Sequence, residues 1–122
     1  MSMEVFKEFK FEAAHCLAHL PDGHKCRALH GHSYRVRVFV AGKIGQESGW
    51  IVDFADIKAA MAPILSQLDH SFLNDIEGLE MPTAEHLAIW IWNHLAQSLT
   101  GLARIEIWET DTSGVIYHGP SS

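Results

Sequence analysis

The chain has only two cysteines, Cys16 and Cys26, in 122 residues. That is too few for a disulfide scaffold, and it predicts reduced thiols in a cytoplasmic protein. Basic residues are also scarce. Nine Lys and Arg stand against fifteen Asp and Glu, leaving a net charge of -6. Phosphate backbones are bound by clustered cations, so no nucleic-acid partner is expected. No apolar run approaches the ~20 residues that span a bilayer, which excludes a membrane partner of that kind. The stretch Met1 to Lys10 has no apolar core of the sort a signal peptide needs. Repeats, linkers and low-complexity segments are absent too. The length predicts one domain, residues 1–122. What the chain has in excess is histidine, with nine.

Three of these histidines fall on apolar strand parities. From Glu4 to His15, Val5, Phe9, Phe11, Ala13 and His15 share one parity, with Lys7 as the exception. Phe6, Glu8, Lys10 and Glu12 share the other, mostly polar one. From His30 to Gly42, His30, His32, Tyr34, Val36, Val38 and Val40 alternate with Ser33, Arg35 and Arg37. Both read as half-buried antiparallel strands, and residues two apart lie on one face. His15, His30 and His32 are therefore expected to point inward at neighbouring strand ends. Neutral imidazole suits zinc, and three ligands leave a position open, as in catalytic sites. Separate, satisfied core histidines are the plainer alternative.

Further along, Asp53 is placed to cap a helix from Phe54, with Ile57, Met61, Ile64, Leu65 and Leu68 as its stripe and Pro63 as an awkward interior residue. Thr83 caps a second helix, with Glu85 in its first turn and Gly101 as its stop. His86, Trp90 and His94 share a face away from that helix's stripe, as a subunit contact or a solvated face would. Strands are expected at Ala103–Glu109 and Val115–His118, with Arg104, Glu106 and Trp108 facing out. The order ββααββ predicts an α+β fold, a four-stranded antiparallel sheet with two helices on one face.

Four further positions invite chemistry, each with an ordinary alternative. Cys26 is a fourth metal ligand, a thiolate nucleophile or base favoured by nearby cations, or a simple loop cysteine. Asp69-His70 is a tuned acid/base pair, or a histidine settled in the field of a helix C-terminus. Glu109 sits on an apolar parity, where a carboxylate needs a partner. That partner is structural, or it is a ligand edge with two N–H groups held in a bidentate way. Lys25 and Arg27, with His24, receive phosphate or are merely solvated.

Several short segments together resemble the 6-pyruvoyl-tetrahydropterin synthase superfamily. They are Phe11 to His15, Cys26 to Ser33, Gly49 to Phe54, Leu68-Asp69-His70 with Leu73-Asn74, Pro82 to Glu85, and Trp108-Glu109-Thr110. Three residues separate Cys26 from His30, which is similar to the superfamily's bacterial, carboxypterin-forming branch. The resemblance implies a tunnelling fold, with sheets closing into a barrel. It also implies a homohexamer, a dimer of trimers with sites between subunits. It implies one zinc per subunit on His15, His30 and His32, Cys26 as proton acceptor, and His70 oriented by Asp69 as the second acid/base. Glu109 would anchor a pterin triphosphate substrate, Thr83 and Glu85 would line a pocket, and the pathway would be queuosine synthesis. A pyruvoyl-forming sister activity and a non-catalytic zinc- or pterin-binding module are the alternatives.

Overall fold

The computed structural model describes residues 3–121. Its framework is a pair of twelve-residue strands, β1 (Glu4–His15) and β2 (His30–Ala41). They run antiparallel in unbroken register, from Glu4 opposite Ala41 to His15 opposite His30. The alternation predicted for each strand is realised. Phe9, Phe11, Ala13 and His15 are buried on the face that also buries Tyr34, Val36, Val38 and Val40.

Helix α1 (Phe54–Leu68) starts where Asp53 can cap it, the carboxylate accepting the Ala55 N–H at 2.9 Å. Ile57, Met61, Ile64 and Leu68 are buried, and the helix continues through Pro63. Helix α2 (Ala84–Leu95) is capped by Thr83, whose hydroxyl accepts the His86 N–H at 3.2 Å. It buries Leu87, Ala88, Ile91 and Leu95. Both helices contribute to one core with the apolar face of the sheet. None among the described residues is long and apolar enough to cross a membrane.

Four features depart from the sequence expectations. The sheet has five strands in the order β3-β1-β2-β4-β5 and is mixed, not purely antiparallel. The extra strand, β3 (Ser71–Phe72), lies parallel to β1 beside Ala13 and Ala14. Two residues are too few to show a period, so only the tertiary neighbour reveals it. Next, α2 ends at Leu95, not near Gly101. The Ser98 N–H turns back to the Leu95 carbonyl, tightening the chain, while Leu99 stays buried. Gly101 (φ 83°) instead turns the chain into β4 (Leu102–Trp108), which pairs with β2 and with β5 (Gly114–Tyr117).

Glu106, expected to face out, is only 7% exposed. Arg37 and Arg104 lie 3.7 and 3.5 Å from its carboxylate, and the Trp108 Nε1–H donates to it at 3.2 Å. Cationic partners and a donor make that burial tolerable. Trp90 is 6% exposed, although it was placed away from the stripe of α2. Its Nε1–H donates to the Glu77 carbonyl at 3.1 Å and its ring lies 3.9 Å from that of His94. Packing within the chain therefore accounts for this tryptophan.

Candidate metal centre and acid–base site

The β1–β2 register makes His15 and His30 direct partners and sets His32 opposite Ala13. One nitrogen from each ring of His15, His30 and His32 lies within 4.8 Å of the others. No other trio of metal-donor side chains converges this way among the described residues. His15 is 1% exposed, and the other two are half-buried.

The tautomers follow from the second ring nitrogens. His15 Nδ1 is 2.8 Å from the Pro82 carbonyl, and His30 Nδ1 is 2.8 Å from that of Ala28. A carbonyl only accepts, so each Nδ1 carries the proton and each Nε2 keeps a lone pair. Burial, more than any other influence, holds the His15 imidazole below its usual pKa, and His30 and His32 add to the effect. The Pro82 hydrogen bond and Glu109 pull the other way. The two Nε2 atoms stand 2.9 Å apart. A proton shared between the rings could join them, but the burial of His15 opposes that charge. Two lone pairs so placed repel unless a cation sits against both, which is the condition a metal satisfies. The donor set of three converging imidazoles therefore fits a metal ion.

Glu109 lies one residue beyond β4, with its N–H on the Ser113 carbonyl at 3.1 Å. Its Oε1 is 3.4 Å from His32 Nε2 and 3.7 Å from His15 Nε2. Its nearest ionisable neighbours are thus the histidines themselves. Tyr34, fully buried beneath them, places its hydroxyl 3.4 Å from His15 Nδ1. Burial first, then Glu109, pushes this phenol upward, so it stays protonated. Tyr34 was read only as a core residue, yet it shares the parity of His30 and His32, which was the available signal.

Asp69 and His70 do touch, which adjacency alone does not require. His70 takes a left-handed φ of 58° and donates its backbone N–H to the Glu12 carbonyl at 2.6 Å. Asp69 Oδ1 accepts the Glu12 N–H at 2.9 Å, while Oδ2 is 3.0 Å from His70 Nδ1. The pair is tied to the same strand that carries His15. His70 is 79% exposed and shares a cleft of about 430 Å³ with His32, Ser33 and Glu12. A larger cleft of about 740 Å³ lies among Val40, Ile51, Asp56 and Leu99. It has one acid and no converging group, whereas the smaller cleft brings His70 and His32 together.

The Glu12 amide first, and His70 in addition, hold the Asp69 carboxyl below its ordinary value of 3.8. This contribution to stability is complete above that ordinary value and fades as pH falls through the lowered one. A carbon-detected NMR titration should place the Asp69 midpoint below 3.8. His70→Ala should leave part of the depression in place, because the amide is its largest single cause. A midpoint returned to the ordinary value would assign the effect to His70.

Cys26 lies outside the histidine trio. It occupies a short 3-10 turn, Lys25–Arg27, and is half-buried. Its N–H donates to His24 Nδ1 at 3.1 Å, and its carbonyl accepts the Leu17 N–H at 2.9 Å. The Arg27 guanidinium donates to the carbonyls of Ala18 and Leu20 and lies 3.2 Å from Asp22, clamping the loop on itself. Lys25 and Glu85 are exposed. Thr83 follows Pro82, whose carbonyl orients His15. Within one chain, then, Glu109 joins the histidines, Asp69-His70 shares a cleft with His32 but not with His15, His30 or Glu109, and Lys25, Arg27 and Glu85 stand apart. Pro82, Ala28 and Asn74 fall in segments that carry the family resemblance, but their role as anchors is read only from their hydrogen bonds.

The profile of the 6-pyruvoyl tetrahydropterin synthase family matches residues 4–120. A 6-carboxy-5,6,7,8-tetrahydropterin synthase of Synechocystis sp. is 47% identical over 95% of this chain and 93% of its own. A dihydroneopterin monophosphate aldolase of Pyrococcus furiosus is 31% identical, over 94% of this chain and 96% of its own. The solved structure of Caenorhabditis elegans 6-pyruvoyl tetrahydropterin synthase superposes with a TM-score of 0.90. It covers 98% of this chain and 97% of that one, at 28% identity.

Proposed function

The chain belongs to the 6-pyruvoyl tetrahydropterin synthase family, and from that premise we propose that it is a zinc-dependent lyase. The reaction is conversion of 7,8-dihydroneopterin triphosphate and water to 6-carboxy-5,6,7,8-tetrahydropterin, acetaldehyde and triphosphate, in the pathway to queuosine. The observation that carries this reading is the convergence of one ring nitrogen from each of His15, His30 and His32, with the Glu109 carboxylate on its border. The carboxy-forming branch is supported by the relative at 47% identity and by the short spacing of Cys26 and His30.

His15, His30 and His32 would hold one zinc per subunit. When bound, zinc supplies Lewis acidity to oxygens of the substrate side chain. Cys26 accepts the proton from the adjacent side-chain carbon. His70 is the second acid/base group, and Asp69 holds its Nδ1 at 3.0 Å, which leaves Nε2 for the substrate. The two oxygens of Glu109 take paired N–H groups of the pterin ring. Thr83 and Glu85 line the ring's pocket. Lys25 takes phosphate, and Arg27, occupied by loop carbonyls, holds the loop that presents it.

The assembly is a cytoplasmic homohexamer, two trimeric barrels with sites between subunits. The outer edge of β5 has no strand partner among the described residues, and Ile116 on it is 57% exposed. Such an edge calls for a neighbouring strand or cover. Sedimentation of the native protein should give the mass of six chains, and a monomer would end that part of the proposal.

The reaction is tested by incubating the zinc-loaded protein with 7,8-dihydroneopterin triphosphate under anaerobic conditions. Acetaldehyde and carboxypterin should appear in equal amounts. A pyruvoyl pterin without acetaldehyde would assign the sister activity. Tight pterin binding with no turnover would leave a non-catalytic module.

A further inference from the structure

We infer that Asn74 is a positioning residue for Cys26, seating the thiol-bearing loop against the histidine centre through the backbone of Cys16. The inference rests on the role proposed for Cys26 above. The β1–β2 ladder ends at His15 opposite His30, so Cys16 is the first residue beyond it. On the other side of β1, β3 pairs with Ala13 and Ala14 and then leaves. A short 3-10 turn, Leu73–Asp75, follows, anchored by the fully buried Leu73. It carries the Asn74 side chain alongside Cys16. Asn74 Oδ1 accepts the Cys16 N–H at 3.0 Å, and Asn74 Nδ2 donates to the Cys16 carbonyl at 2.9 Å.

A primary amide offers one acceptor and a donor in the arrangement of a peptide group. Asn74 therefore adds one rung to the sheet after the backbone of β3 has turned away. One residue later, the Leu17 N–H donates to the Cys26 carbonyl at 2.9 Å. The thiol-bearing turn thus hangs from the point that Asn74 clamps. The remaining hydrogen bonds of residues 17–27 are internal to the loop among the described residues. They join Leu20 to Leu17, His24 to Pro21, Arg27 to His24, Cys26 to His24, and Arg27 to Ala18 and Leu20. The loop is consequently a closed unit, and its seat on the body is set by the Asn74 clamp at one end and by β2 at the other.

The histidines do not depend on this clamp. They are held by the strand ladder and by the carbonyls of Pro82 and Ala28. Loss of the clamp should therefore separate thiol placement from metal binding, which general loss of structure would not do.

The test uses the zinc-loaded full chain with Asn74→Ala and Asn74→Asp. The aspartate keeps an acceptor for the Cys16 N–H but sets a carboxylate against the Cys16 carbonyl. The readouts are zinc content, the iodoacetamide alkylation rate of Cys26 by peptide mass spectrometry, and kcat and KM. Zinc should stay at the wild-type level and the alkylation rate should change several-fold. Misplacement of a reacting group by about 1 Å costs up to ~100-fold, so kcat should fall ~10- to 100-fold with KM within about twofold. An unchanged alkylation rate and kcat in either folded variant overturns the inference. So does parallel loss of zinc, or failure of both variants to fold. Alkylation requires no turnover. An Asn74-dependent alkylation rate in a protein that makes another product would therefore sink the proposed reaction and leave the clamp standing.

Discussion

Cys26→Ala is expected to leave a folded, metal-loaded protein without measurable acetaldehyde release. The thiol is half-buried on an irregular loop, so its removal opens no core cavity. It also lies outside the trio of nitrogens that would hold the metal. Zinc per chain, measured by elemental analysis, should therefore match the unsubstituted protein. In the proposed reaction Cys26 is the proton acceptor, and a positioned acid or base contributes ~100- to 10,000-fold. The loss should fall in kcat, with pterin binding retained through Glu109. If zinc disappears with the thiol, Cys26 is a fourth ligand. The site would then be closed, in the manner of structural zinc centres, and its acid–base role would have to be abandoned.

His30→Ala should remove the metal and the activity together. Deleting a partner that merely orients a zinc ligand costs ~10- to 100-fold in affinity, and deleting a ligand costs more. The ring of His30 is half-buried, so the fold should tolerate the change. A second signature separates metal loss from damage. In the unsubstituted protein, bound zinc would relieve the opposition of the His15 and His30 lone pairs, 2.9 Å apart. It should raise the melting temperature by binding only the folded state. In His30→Ala that opposition is gone, and added zinc should raise the melting temperature little. A variant that still shows the full zinc-dependent rise would mean the ion binds elsewhere.

Much of the site was legible because its basis is local. Strand parity is a property of neighbouring residues, and it turned His15, His30 and His32 inward without knowledge of the pairing. Asp53 and Thr83 capped their helices as read, since a cap acts within three residues of itself. Glu109 stood out because a carboxylate on an apolar parity needs a partner. The end of α2 was misplaced because Gly101 is a helix stop by habit, whereas here it opens β4. Trp90 was set apart from the stripe, but the segment carrying Glu77 folds over it.

By itself, the sequence determined which side chains face one another: the period-two pattern of β1 and β2 committed three imidazoles to one side of one sheet. It also limited the chemistry to groups that bind a borderline metal and move protons. The tertiary structure alone decided how those groups are tuned. The carbonyl of Pro82, 67 residues away, selects the tautomer of His15. The Glu12 amide lowers the Asp69 carboxyl across 57 residues. Asn74 grips Cys16 across 58. Hydrogen bonds of this kind leave no period in the chain. They exist only once distant segments have been packed side by side, which is why they had to be seen in three dimensions.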